Sequence, residues 1–303
     1  MRPDFALPKW PWRRLSWAVV PLLLSACAPL PGPARDRAAA LRVMTFNIRY
    51  DEPADGANAW PFRKEMAAGT ISFHRVDIVG LQEVLASQLH DLQSLLPEYA
   101  WVGVGRDDGR AAGEHNPIFF LRDRFRLLAS ATFWLSAEPD KAGVKGWDAA
   151  CPRIVTWARL EDLWTGQILA AFNTHFDHVG ARARNESAAL VLAAVRKIAG
   201  RDPVIVMGDL NCTREDQAYL TLVAAAGGVP LLRDTRAESP RRPFGPASSF
   251  NGFRADPRSG LPIDHIFVGG AFETLRAGIL PGWWDGRFVS DHNPILAEVR
   301  LAR

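Results

Sequence analysis

The chain has 303 residues, 48% hydrophobic and 23% charged, with 36 basic and 33 acidic side chains. That balance excludes a disordered or collagen-like polymer, and three cysteines exclude a disulfide framework. The small positive charge belongs to the leader, where Arg2, Lys9, Arg13 and Arg14 stand against Asp4; the near-neutral remainder disfavours, without excluding, a nucleic-acid partner.

In chain order the first element is a targeting segment. Lys9, Arg13 and Arg14 form a positive n-region, followed by an apolar run over 15–24. That run is shorter than the roughly 20 residues of a bilayer span and fits a secretory h-region. Leu24-Ser25-Ala26-Cys27 resembles the lipobox of bacterial lipoproteins, in which cleavage precedes a cysteine that takes lipid; ordinary cleavage after a small residue is the alternative. The expectation is a signal peptide over 1–26, a Pro/Gly/Ala tether over 27–40 and a domain over 41–303. The lipid on Cys27 would hold it to the bacterial cell envelope, facing the periplasm or the exterior.

Beyond residue 40, apolar β-rich runs recur over 41–49, 76–84, 99–104, 117–121, 127–135, 153–161, 167–176, 203–211, 263–270 and 294–301. Several are nearly continuous in apolar character, as strands covered on both faces are. Helical spacing marks 60–75, 85–96, 185–200 and 214–228, the last two closing on glycine, which suits a C-cap. Roughly 260 residues without a linker-like stretch form one large core. Many covered strands and few helices predict an α/β sandwich, two packed sheets with helices outside. Cys151 and Cys212 lack CxxC spacing; they read as small buried hydrophobes, with a bridge between them left open.

Strand ends carry the chemistry. Asn47 follows VMTF, Glu83 follows VGLQ, and NTHFDH spans Asn173 to His178. Asp209 and Asn211 stand in VMGDLN, Asp264-His265 opens IFVGG, and Asp291-His292 lies in VSDHNP. Alone, each reads as a turn residue bonding its own backbone. Six such sites in one chain argue otherwise, because carboxylates and imidazoles beside a core are costly unless a partner, metal or substrate compensates them.

MTFNIR, LQEV, NTHFDH, MGDLN, IDHIFV and SDHNP, in that order, resemble the signature series of the endonuclease/exonuclease/phosphatase superfamily, over essentially all of 41–303. The resemblance implies a four-layer αββα sandwich of two mixed, mainly antiparallel sheets flanked by helices. It also implies a divalent metal, magnesium (Mg2+) or alternatively manganese (Mn2+), and phosphoester hydrolysis by in-line attack of water. Carried over residue by residue, Glu83 is the principal metal ligand, helped by Asn47 and Asp291. Asp209 orients or deprotonates the water, with Asn211 two residues on, on the same side if the segment stays extended. His292 is held by Asp264, and His175 donates to a phosphate oxygen. Period-2 geometry turns Asp177 and His265 away as structural residues, leaves His178 open, and His74 and His90 read as surface positions.

Substrate choice falls to loops. The stretch 103–116 carries Arg106, Asp107, Asp108, Arg110, Glu114 and His115, either a solvated loop or a wall for a small polar substrate. Arg153 at a strand start reaches toward phosphate. Trp283 and Trp284 lie upstream of Asp291, and Trp284 is the one assigned to substrate. GVGRDDG, FWLS, KGWDAA, NTHFDH and GFR together resemble a mostly secreted or lipid-anchored bacterial branch. The favoured expectation is a monomeric, lipid-anchored hydrolase of a small or membrane-derived phosphoester. An extracytoplasmic nuclease and a non-catalytic lipoprotein binding module are the alternatives.

Overall fold

The computed structural model describes residues 40–226, 229–254 and 260–301. The expected signal peptide, the tether up to residue 39 and Cys27 lie outside the described residues. The first eight strands are β1 (Leu41–Asn47), β2 (Ile78–Gln82), β3 (Tyr99–Val102), β4 (Ile118–Leu121), β5 (Phe125–Trp134), β6 (Ile154–Asp162), β7 (Gln167–His175) and β8 (Val204–Asp209). After them come β9 (Ala225–Ala226), β10 (Val229–Pro230), β11 (Arg233–Asp234), β12 (Asp264–Gly269), β13 (Phe272–Ile279), β14 (Trp283–Trp284), β15 (Arg287–Phe288) and β16 (Ile295–Leu301). Among the described residues four α-helices interrupt them: α1 (Lys64–Phe73), α2 (Ala86–Leu95), α3 (Ala181–Ala199) and α4 (Gln217–Leu222).

Two six-stranded sheets result, ordered β13-β16-β1-β2-β4-β3 and β11-β12-β8-β7-β6-β5. Each has one parallel pair at its centre, β1 with β2 and β7 with β8, in otherwise antiparallel surroundings. Parallel neighbours need a crossover, and α1 and α3 supply the two. The C-terminal ends of a parallel pair share an edge with the N-terminal ends of its antiparallel neighbours. In this chain that edge gathers the ends of β1, β2, β7 and β8 with the starts of β12 and β16.

The alternation of side chains sorts three cores. Between the sheets lie Val43, Ile78, Leu169, Ala171, Ile205, Met207, Ile266 and Ile295. Met44, Phe46, Val79, Leu81 and Phe119 face outward under α1 and α2, and Phe172, Val206 and Phe267 face outward under α3 and α4. The near-continuous apolar runs are thereby explained, since both faces of the central strands are covered. The architecture is the expected α/β four-layer sandwich.

Polar groups join the two sheets inside this core. Asn173 of β7 donates from Nδ2 to the carbonyls of Leu81 (2.7 Å) and Pro117 (2.9 Å), and its Oδ1 accepts from Gln82 Nε2 at 2.6 Å. Asn173 is therefore an inter-sheet tie rather than a rim residue. At the opposite edge the buried Arg124 holds Asp77 and Asp162, at 2.8 and 3.0 Å.

Two-residue strands aside, two elements depart from the sequence expectation. β13 was absent from it, because charged residues and a bulge between Thr274 and Arg276 break the pattern; its pairing with β16 brings Arg276 onto Glu298. Helix α4 stops at Leu222 instead of running to 228, and the chain turns into β9, paired with β10. The pairing overrides the helix propensity of the alanines here. α3, by contrast, ends at Ala199 with Gly200 at φ 59°, as a glycine C-cap should.

Candidate active site

Strand register explains why the predicted residues meet. In β1, Val43 points between the sheets, so Asn47, an even number of residues on, does too. The same parity holds for His175 after Ala171, for Asp209 after Met207, and for Asp264 before Ile266. His175 and Asp264 each pair in register with Asp209 across neighbouring strands. Glu83 follows the outward-facing Leu81 and would face outward if extended; instead it adopts φ 61°, which turns its carboxylate back to the rim. Asn211 also has a left-handed backbone, φ 46°. The sequence argument placed it by extended geometry, but β8 ends at Asp209, and a turn closed by Asn211 N–H on Asp209 Oδ1 (2.9 Å) brings it in. Non-glycine residues at positive φ are uncommon and strained, and such strain collects at functional sites.

Asn47 Nδ2 donates to Glu83 Oε1 (2.9 Å) and to Asp209 Oδ2 (3.0 Å). Asp209 Oδ2 also lies 3.5 Å from His175 Nε2 and 3.7 Å from His292 Nε2. Behind His292, Asp264 Oδ2 stands 2.9 Å from Nδ1. Asn211 Nδ2 is 3.0 Å from His175 Nε2 and donates to the Phe176 carbonyl. With Nε2 accepting from that amide, the His175 proton sits on Nδ1, which is buried and has no partner among the described residues.

The electrostatics divide the two imidazoles. Burial lowers the His292 pKa, but Asp264 and Asp209 outweigh it and hold the ring well above its ordinary value. Burial drives His175 well below it, and the charges of Arg153 and Arg106 add to the effect. Burial pushes Asp209 up to about 7, with Asp264 adding and His292 opposing. One imidazolium and one neutral imidazole thus flank a single carboxylate whose proton is labile near neutrality.

The oxygen donors fit a divalent cation. Glu83, Asn47 and Asp291 offer the hard carboxylate and amide oxygens that magnesium takes. Burial raises the Asp291 pKa, and the neighbouring Glu83 charge raises it further against the pull of His292 and Arg49. Two carboxylates that repel at a strained rim are what a cation would relieve. A tighter group, Asp209, Asp264 and His292, also has its ligand atoms within 4.8 Å of one another. There the imidazolium already lies between the two acids, so we read that group as a proton network and the Glu83 side as the cation position. Cys151, Asp177 and His178 also converge, but the Arg153 guanidinium fills that group, with Nε 3.4 Å from Asp177 Oδ2 and Nη2 2.9 Å from His178 Nδ1.

Other predicted residues are placed as follows. Arg153 is buried and His178 exposed, joined by that contact. Trp284 is exposed on the β14–β15 hairpin and, among the described residues, makes no hydrogen bond or ring contact with the catalytic cluster. Asp177 is a loop organiser, its Oδ1 accepting from the backbones of Val179 and Gly180. His265 faces outward against Asp234 and the Cys212 carbonyl. Both expectations of a structural role hold. In the 103–116 loop, Asp108 and Arg110 are exposed, whereas Arg106 turns inward onto Glu114 at 2.7 Å. Cys151 and Cys212 are free; Cys212 is buried, but Cys151 is only half-buried.

Sequence reasoning missed the groups that hold the site in shape. Ser290 Oγ lies 2.8 Å from the Asn47 carbonyl and 3.2 Å from Asp291 Oδ1, fixing β1 to the segment before β16. The Asn251 and Gly252 amides donate to the Asp291 carbonyl. Buried Arg63 ties the carbonyls of Ile48, Arg49 and Val289. Only the serine within SDH offered a sequence signal; Arg63 looks like any helix-flanking arginine.

Comparison with known proteins agrees with this geometry. The model of the Endonuclease/Exonuclease/phosphatase family matches residues 44–292. A Bacteroides vulgatus endonuclease/exonuclease/phosphatase structure is 41% identical, with a TM-score of 0.79, covering 87% of this chain and 99% of its own. The mannosyl-6-phosphatase Bt3783 of Bacteroides thetaiotaomicron is 34% identical, with a TM-score of 0.80, over 86% of this chain and 99% of its own. An uncharacterized protein of Acanthamoeba polyphaga mimivirus is 25% identical over 213 residues, 58% of this chain, which spans 31% of that longer relative. The matched span starts in β1 and ends at His292, so it encloses Asn47, Glu83, His175, Asp209, Asn211, Asp264, Asp291 and His292, and the chain belongs to the Endonuclease/Exonuclease/phosphatase family.

Proposed function

We propose that the chain is a divalent-metal-dependent phosphomonoesterase acting on a small sugar or polyol phosphate. The family consists of phosphoester hydrolases, which gives the reaction class. The observation that carries the mechanism is Asp209 standing between a charged and a neutral imidazole, 3.7 and 3.5 Å away. The substrate class rests on similarity to the mannosyl-6-phosphatase.

In this reading Asp209 Oδ2 accepts the proton of the attacking water as its oxygen bonds to phosphorus and the bond to the sugar oxygen breaks. His292, kept protonated by Asp264, offers a positive N–H to the charge that builds on the phosphoryl oxygens. Neutral His175 adds no charge of its own and turns Nε2 to the Asp209 side, and the Asn47 and Asn211 amides orient the water and the carboxylate. Glu83, Asn47 and Asp291 would hold magnesium or manganese, which when bound neutralises phosphoryl and leaving-oxygen charge. Arg153, with His178 against it, supplies a further cationic wall.

A turnover screen tests this. Hexose 6-phosphates should be hydrolysed, with activity abolished by EDTA and restored by magnesium or manganese, and Glu83→Ala should lower kcat by about 10³-fold or more, about 4 kcal/mol, with the fold retained. Cleavage confined to oligonucleotides, bis-aryl phosphates or phospholipids would overturn the monoester reading; indifference to EDTA would overturn the metal. We also propose anchoring to the bacterial envelope through Cys27, supported by the sequence around it. Cys27→Ser should move the protein from the membrane to the soluble fraction, and unchanged partitioning would refute the anchor.

A further inference from the structure

Outside the catalytic cluster, the β11–β12 side of the second sheet holds a cavity of about 440 Å³, lined in part by Arg214, Arg236 and Arg242. It contains more positive charge than its surroundings satisfy. Arg236 is half-buried, and its Nε and Nη1 are shut off from solvent with no hydrogen-bond partner among the described residues. The one carboxylate lining the cavity, Asp234, is already engaged: Oδ2 accepts from Tyr219 at 2.9 Å and lies 3.3 Å from His265 Nδ1, while Oδ1 accepts the Arg236 backbone N–H. Arg214 and Arg242 are exposed and form no ion pair among the described residues. Burial lowers the Arg236 pKa; the Asp234 charge opposes this, and the Arg214 charge adds to it. Buried N–H groups without acceptors are costly, and planar guanidinium forks suit tetrahedral oxyanions.

We propose that this cavity is a second binding site, for a phosphate-type oxyanion, formed by Arg214, Arg236 and Arg242 and separate from the catalytic phosphate position. The wall between them is β12 itself: Asp264 faces the catalytic cluster and His265, the next residue, lines the cavity. The arginine cavity meets a second one, of about 620 Å³, at Leu261, which lines both. That second cavity includes Phe250, whose ring centroid lies 5.1 Å from that of His292. Two sources therefore share the chemistry: free phosphate, or a second phosphate on an elongated substrate.

The test is calorimetric titration of the full-length protein, treated with EDTA, with inorganic phosphate. Saturable binding is expected, weakened about tenfold or more in both Arg236→Gln and Arg242→Ala and retained in Glu83→Ala. Arg242 is exposed, so its variant guards against a folding defect in the other. No saturable binding, or binding lost in Glu83→Ala but unchanged in both arginine variants, would overturn the site. Kinetics separate the sources. A KM that rises in Arg242→Ala for a hexose bisphosphate but not for the monophosphate assigns the second phosphate of a substrate. Loss of phosphate binding with both KM values unchanged assigns free phosphate.

Discussion

Asp209 has two imidazoles within 4 Å and an acid, Asp264, across the strand pair, and this packing makes stability depend on pH with a definite sign. The Asp209 pKa is raised from 3.8 to about 7, so the folded state holds that proton more tightly, and its contribution is lost as pH rises from about 4 to about 7. His292 is raised above 6.5; its contribution is present below 6.5 and is lost as pH rises through the higher folded value. Above about 7 only the histidine slope remains. Asp264→Asn should therefore flatten the fall of Tm above about pH 7 in EDTA, while lowering kcat. Parallel slopes in the two proteins would disprove the pairing. The convergence of these residues was legible because SDH and GDLN carry side chains a core does not keep without a partner. The left-handed backbones at Glu83 and Asn211 were not, since neither is a glycine, and only the completed rim forces those angles.

At the scale of elements, β2 and β7 approach closely because Gly80 has no side chain. A Cβ there would meet Asn173 Oδ1 at 2.6 Å and Met207 Cγ at 2.9 Å. Gly80→Ala should destabilise the fold by about 1–3 kcal/mol, read as a lower urea midpoint with an unchanged m-value; no change would show that the sheets have slack at this position. The central strands were readable from apolar runs because both faces are buried. β13 was not, because a paired edge strand bearing Glu273, Thr274 and Arg276 looks like a loop until β16 is beside it. Helix α4 was overextended because alanine pattern alone cannot report where a strand pairing takes the chain away.

Across the whole molecule, the two sheets are fastened at opposite edges by different means. One edge carries the cluster around Asp209, with its like charges and strained backbones. The other carries Arg124, 2% exposed, between Asp77 and Asp162, a guanidinium whose loss strands two buried carboxylates. Arg124→Met should cost about 3–5 kcal/mol without altering the EDTA sensitivity or KM of the remaining folded enzyme. A large change in KM would mean that the two edges are coupled. The division agrees with a scaffold that is stable away from the site and tolerates strain within it.

The sequence by itself determined the layer architecture, the family and the set of polar side chains that converge at the rim. Apolar continuity reports burial of both strand faces, and acids and imidazoles at strand ends are unusual enough in series to identify one another. Tertiary structure alone decided that His292 is charged and His175 neutral, that Asn173 joins sheets, that Arg106 turns inward and that three arginines share a cavity. Each of those depends on which groups the fold brings together, and proton affinity and desolvation are set by such neighbours, not by local sequence.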